Sequence, residues 1–230
     1  MHDENVPVCG TDHEIGETRK RILETAALVF AERGFPATTV RMICGRAQVN
    51  LAAVNYHFGS KESLYREAIR YARGRAYQRF PINYGLSGGA GPEEQLHAFI
   101  RSFLLRTSSD ERNLGFGTLV MREMVDPTSA LDMMLDEGIR ALLEQLAEIV
   151  RKLMGDVRDR ELLLACTRSI VSQCLLFLFS RSVIGRMAPE HKFDPDDLEG
   201  ISRQILFFSL HALRGIAADS RTKPGKSGAR

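Results

Sequence analysis

Residues 38–61, TTVRMICGRAQVNLAAVNYHFGSK, read as two short helices joined by a tight turn, and this reading decides the fold. Thr38 or Thr39 can accept a hydrogen bond from the unpaired amides that open the first helix, and Asn50 can do the same for the second. Val49 and Val54 stand at the N′ and N4 positions around Asn50, the spacing of a hydrophobic staple that fixes the angle of entry. Gly59 supplies unhindered backbone just past the last turn. Within 51–58, Val54 and Phe58 are four apart and should point inward from one face. The other face carries Ala52, Ala53 and Tyr56, flanked by Asn55 and His57. A helix this short and polar does not form for its own stability. Paired alanines let another backbone approach closely, while Asn, Tyr and His offer donors and acceptors. Alanine methyls can meet thymine methyls in a DNA major groove. An αα-hairpin inside a helical core would need none of this outward polarity, so the segment reads as an element held out for DNA.

The wider run, TRKRILETAALVFAERGFPATTV over 18–40 and AQVNLAAVNYHFGSKESLY over 47–65, resembles the DNA-binding end of TetR-family transcriptional regulators. The resemblance rests on the apolar spacing of the first helix, the Gly34-Phe35 step, the paired Thr38 and Thr39, and the run YHFGSKESLY, and it covers roughly 18–72. It implies that Thr39 touches a phosphate, that Asn50, Leu51, Ala52, Ala53, Asn55, Tyr56 and His57 face DNA, and that Lys61 clamps a backbone phosphate. Two positions depart from the family pattern: Gln48 stands where the turn often has glycine, and Leu51-Ala52 where a Lys-Gly pair is common. The second departure removes a positive charge from the reading helix, so base preference does not transfer. The Asn-x-Ala-Ala opening, with Arg122-Glu123 and Pro127-Thr128 farther on, is similar to the CecR-type subset.

A chain of 230 residues with 44% apolar content can bury a substantial core in one or two domains. Net charge is only +2, but 18–80 holds twelve Lys/Arg against four Glu, leaving +8 there and −6 elsewhere. A basic end on an acidic body suits a phosphate-binding module. Cys9, Cys44, Cys166 and Cys174 lack metal-ligand spacing, and the last two read as small core residues of one helix. The amino terminus has no apolar signal core, and the longest apolar run, 174–179, is too short to span a bilayer. The expected setting is the cytoplasm, with no membrane, metal or cofactor.

Periodicity predicts an all-α chain without repeats. Residues 1–17 read as a loose tail, 18–60 as the helix-turn-helix DNA-binding domain, 61–218 as a helical regulatory and dimerisation domain, and 219–230 as a flexible basic tail. The first helix should span 18–33 and end at Gly34. Ser60 should cap a linking helix that reaches Phe80 and carries movement between the two parts. The breaker cluster PINYGLSGGAGP over 81–92 separates it from a helix over 93–108. Further helices are expected over 110–125, from Pro127 as a first helical position to Met154, over 158–187 and over 194–218.

The last two helices carry more apolar surface than one core can use. Val171, Leu175, Leu178, Phe207, Leu210 and Leu213 are therefore expected at a homodimer interface, which would place two short reading helices on a palindromic operator in double-stranded DNA. Phe99, Phe103, Phe116, Met121 and Met124, beside Arg122 and Glu123, are expected around a cavity for a largely apolar small-molecule effector. Enzyme chemistry has no support: the acidic pairs 93–94, 136–137 and 196–197 are neighbours whose side chains diverge on a helix, and no histidine has a partner at ligand spacing. The reading is a DNA-binding repressor. The alternative is a helical small-molecule-binding or protein-interaction module that does not bind an operator.

Overall fold

Local capping signals place most of the helix boundaries. The computed structural model describes residues 12–108, 114–155, 157, 159–190 and 192–222. All regular elements among these residues are helical. Helical turns α1 run over Asp12–Ala37, so residues 12–17, expected in the loose tail, lie in the helix instead. Gly34 interrupts these turns at φ 81° and ψ 166°, a backbone region favourable to glycine. The remainder of the expected amino-terminal tail falls outside the described residues, as does the basic tail beyond 222, whose first residues extend the final helix.

Helix α2 covers Val40–Ala47 and α3 covers Leu51–Phe58. The cap of α2 is Thr39, whose hydroxyl accepts from Met42 N at 3.3 Å. Thr38 is buried instead and donates to Gly34 O at 2.7 Å, tying the two ends of the α1–α2 turn. Ser60 accepts from Ser63 N at 3.0 Å and opens α4, Lys61–Arg79. Pro92 opens α5, Pro92–Thr107, where Glu94 reaches back to the Gly91 amide at 2.8 Å.

The helix expected over 110–125 begins later, as α6, Phe116–Val125, and residues 109–113 lie outside the description. Gly117 is its point of closest approach to α5: a Cβ there would sit 2.0 Å from Thr107 O. The expected start at Pro127 is also displaced, by two residues, because Thr128 is the cap of α7, Ser129–Met134, and accepts from Ala130 N at 3.1 Å. A π-helical turn over Leu135–Ile139 joins α7 to α8, Arg140–Met154. The long helix expected over 158–187 is broken at Ser180 into α9, Arg160–Phe179, and α10, Arg181–Met187. The last helix, α11, covers Pro195–Thr222.

Two apolar cores result. The first gathers Ile22, Phe30, Ile43, Val54, Phe58 and Leu64 from the helix-turn-helix end, but also Tyr65, Ile69 and Ala76 of α4, Phe116 and Leu119 of α6, and Met134 of α7. Packing therefore continues through α4 into the body, past the division expected at residue 60. The second core, with Phe99, Leu146, Ile170, Cys174, Ile205 and Leu213, joins α5, α8, α9 and α11. Apolar burial on this scale contributes about 25 cal/mol per Å².

By length and composition α9 would pass as a membrane-crossing helix, with a mean hydropathy of 1.9 over its most apolar window. The apolar run 174–179 understated this, because Arg168 is the one charged residue between 162 and 179 and the other interruptions are small or uncharged. In the fold α9 packs on α8, α5 and α11, while Leu176 and Phe179 stay exposed.

Candidate nucleic-acid interface

Helix α3 buries two side chains, Val54 and Phe58, and leaves nearly everything else to solvent. Asn50 Oδ1 accepts from Ala53 N at 2.7 Å, so the cap fixes the first turn. Val49, half-buried, packs into the same core as Val54, as a staple should. The turn before it is made by Gln48 in the left-handed region, φ 54° and ψ 49°, where a glycine would carry no Cβ penalty. The peptide after it still closes the turn, with Val49 N donating to Cys44 O at 3.1 Å.

The residues that the sequence reading assigns to DNA are mostly exposed. Thr39, Asn50, Leu51, Ala52, Asn55 and Tyr56 are exposed, Tyr56 to 78%, and Ala53 and His57 are half-buried. Tyr56 and His57 meet edge-on, ring centroids 5.2 Å apart, which restrains both. Lys61 is half-buried because its Nζ lies 4.4 Å from the centre of the Phe35 ring. That contact restrains the ammonium over the Phe35 ring. Arg41 is exposed on α2, whereas Arg46 pairs with Glu32 at 2.6 Å and is partly neutralised. Sequence reasoning gave Arg46 no such partner, since the acid comes from α1.

The expected effector lining does not come together. Phe99 and Phe103 are core residues of the second cluster, whereas Phe116 belongs to the first. Met124 is 46% exposed. Met121 borders a cavity of about 200 Å³ between the α1 end and α6, with Phe35, Tyr65 and Val125. A second groove, of about 350 Å³, runs between α4 and α8 along Tyr77, Ile82, Ala141 and Leu142. The sequence carried no signal for it, because its wall is made by the π-helical turn.

The expected interface set is likewise divided. Leu213 and Leu210, 2% and 9% exposed, are spent inside the protomer's own core, because α11 turns that face toward α5 and α8. Val171, Leu175 and Leu178 are half-buried on α9. Phe207 is exposed, and so is Phe208. Cys44, Cys166 and Cys174 are free and buried, and burial pushes each thiol up, Cys174 to about 12. Cys9 lies outside the described residues.

A helix-turn-helix that exposes a capped reading helix at the end of an all-α body defines the class: a DNA-binding transcriptional regulator. Comparison with known proteins places it more narrowly. Residues 22–68 match the model of bacterial regulatory proteins of the tetR family, and 92–213 match that of the HTH-type transcriptional dual regulator CecR, C-terminal domain. The chain belongs to the TetR family, in its CecR-type branch. It is 28% identical over 217 residues to the transcriptional dual regulator CecR of Shigella flexneri, covering 89% of this chain and 96% of that protein. Over 57 residues it is 42% identical to the transcriptional repressor KstR2 of Mycobacterium tuberculosis, a match to 25% of this chain and 28% of the relative. Its fold is similar to that of the TetR-family regulator PfmR of Thermus thermophilus, at a TM-score of 0.61 and 21% identity, over 88% of this chain and 97% of that one.

Proposed function

We propose that the protein is a homodimeric repressor that binds a palindromic operator and is released by a largely apolar small molecule. The observation that carries the reading is α3, a capped helix whose outward face has no structural use within the protomer. In this reading Asn50, Ala52, Ala53 and Asn55 meet base edges, while Thr39, Tyr56, His57 and Lys61 position the helix on phosphates. One helix of this length spans only a few base pairs, so a second copy supplies the affinity. The exposed Leu176 and Phe179 of α9 and Phe207 and Phe208 of α11 are the surface we assign to that copy. The two helices pack on each other, with Gln173 Nε2 3.3 Å from Ser209 Oγ. The α4–α8 groove is assigned to the effector: its size suits a small ligand, and it borders the helix that joins the DNA-binding end to the body. The ligand acts only insofar as it binds one arrangement of the dimer more tightly than the other.

Selection of duplexes from a random-sequence pool tests this directly, and an inverted repeat is expected. Titrations of that repeat at several salt concentrations then separate the two roles. Lys61→Ala weakens binding to every sequence and lowers the salt slope by about one, whereas Asn55→Ala blurs the choice among sequences at a cost of about 1–3 kcal/mol. No enrichment of any duplex would overturn the proposal.

A further inference from the structure

Two consecutive residues of α6 hold the DNA-binding end from both sides. Neighbouring side chains on a helix point about 100° apart, so Arg122 and Glu123 reach different helices. Arg122 Nε donates to Ala31 O at 2.9 Å and Nη2 to Glu32 O at 3.0 Å. These carbonyls belong to the last turn of α1 before the break at Gly34, and the residue four on from Glu32 is Pro36, which has no amide hydrogen to offer its carbonyl. A cation there also meets the negative end of the helix dipole. Gly34 makes room for it: a Cβ at that residue would sit 2.9 Å from Arg122 Nη1.

Glu123 turns to α4. It is 1% exposed and accepts from Tyr65 Oη at 2.7 Å, Thr128 N at 2.9 Å and Thr128 Oγ1 at 3.0 Å. Burial, then the bond to Glu123, pushes the Tyr65 phenol well above its ordinary range, so it remains a donor. Tyr65 packs on Phe30 and Phe35, and Phe35 carries Lys61. The cavity of about 200 Å³ lies among Gly34, Phe35, Tyr65, Met121 and Arg122, so apolar packing there is incomplete and directional bonds set the angle. A second bridge, Arg70 and Arg73 to Glu137, is about one-third exposed, and such pairs contribute little.

We infer that Arg122 and Glu123 are a positioning pair for operator binding: they fix the angle at which each protomer presents α3, and hence the half-site spacing the dimer accepts. The inference rests on the dimeric operator reading above. It separates from that reading in a spacing profile. Duplexes carry the wild-type-selected half-site as an inverted repeat, with the spacer lengthened one base pair at a time through one DNA turn. Affinities are read by fluorescence anisotropy with the full chain, alongside a duplex holding a single half-site. Wild type should show one sharp optimum. Arg122→Ala should cut the preference for that optimum over its neighbours on the order of tenfold, the worth of one charge-assisted bond, and leave single-half-site affinity unchanged. Tyr65→Phe removes one hydroxyl without opening the core and should flatten the profile in the same sense. Arg122→Lys keeps the charge but not the two-pronged donor, and should fall between. Equal losses on every duplex, the single half-site included, or variant profiles superimposable on wild type, would overturn the inference. A wild type without any spacing optimum would instead overturn the dimeric operator reading.

Discussion

Replacement of Asn50 separates the folding of the reading helix from its contact with DNA. Helix α3 has eight residues and is held by two buried side chains, so its first turn depends on the cap. Asn50→Ala removes the acceptor 2.7 Å from Ala53 N, at a cost of about 1 kcal/mol. That cost falls on α3 and leaves the two cores intact, so global melting should drop by no more than about 2–4 °C. The open state of α3 should rise about fivefold, and its amides should exchange with solvent faster by the same factor. Asn50→Ser restores an acceptor at the same place without the amide donors. Asn50→Asp also restores it, and adds a negative charge that suits the helix amino terminus but opposes DNA phosphates. Exchange in α3 should therefore rank Ala far above wild type, with Ser and Asp close to wild type. Affinity for a selected duplex should fall in all three, most in Asp, with the Asp deficit greatest at low salt. If Asn50→Ser exchanges as fast as Asn50→Ala, the side-chain acceptor is not what holds α3.

Three other changes follow from local geometry. Gln48→Gly relieves a left-handed residue that costs about 1–2 kcal/mol, against about 0.5–1 kcal/mol of added chain entropy, so a urea midpoint should rise slightly; a fall would mean that the Gln48 side chain contributes contacts that outweigh the backbone. Phe207→Asp combined with Phe208→Asp should give a folded monomer by sedimentation, since both rings lie outside the protomer's core; a dimer at wild-type strength would place the partner elsewhere. His97 carries the pH dependence of the second core. Burial lowers its pKa below the ordinary 6.5, Arg101 and Arg203 act in the same direction, and Glu199 opposes them. The unfolded chain therefore takes up the proton first as pH falls, so this contribution is complete above about pH 6.5 and is lost below it. His97→Gln can still reach Ser202 Oγ, 3.1 Å from the ring nitrogen, and should reduce the loss of stability between pH 7.5 and 5.5. An unchanged slope would remove His97 from that role.

The reading end was legible in sequence because its determinants are local. Thr39, Asn50 and Ser60 each accept from an amide three residues on, which spacing alone can show. The inward pair Val54 and Phe58 follows from one turn of helix, and the outward residues are what remains. Helix boundaries in the body depended instead on contacts across the fold. Thr128 rather than Pro127 opens α7 because its hydroxyl and amide are also held by Glu123. The π-helical turn over Leu135–Ile139 has no local breaker that would explain it; Gly138 lies close to Arg73 of α4, and Glu137 pairs with Arg70 and Arg73.

The interface side chains show why the rest was not legible. In α11 a periodic reading of the sequence puts Leu198, Ile201, Ile205 and Phe208 on one stripe and Leu206, Phe207, Leu210 and Leu213 on another. The buried positions instead run Leu198, Ile201, Ser202, Ile205, Ser209, Leu210, Leu213 and Ala217. One row of them, Ile201, Ile205, Ser209, Leu213 and Ala217, advances by four residues each time, and a four-residue step overshoots a helical turn by about 40°. The seam therefore winds around α11 as the helix crosses α5 and α8, and a stripe drawn straight from its start ends on the wrong side. Ser202 and Ser209, polar but small, fill the inside where helices approach closely, and the larger Phe207 and Phe208 are left outside. Hydrophobicity alone would bury the rings and expose the serines. The reverse arrangement leaves two large rings outside for another surface to cover, and a second copy of the chain is inferred from two phenylalanines that lie on different stripes of that periodic reading.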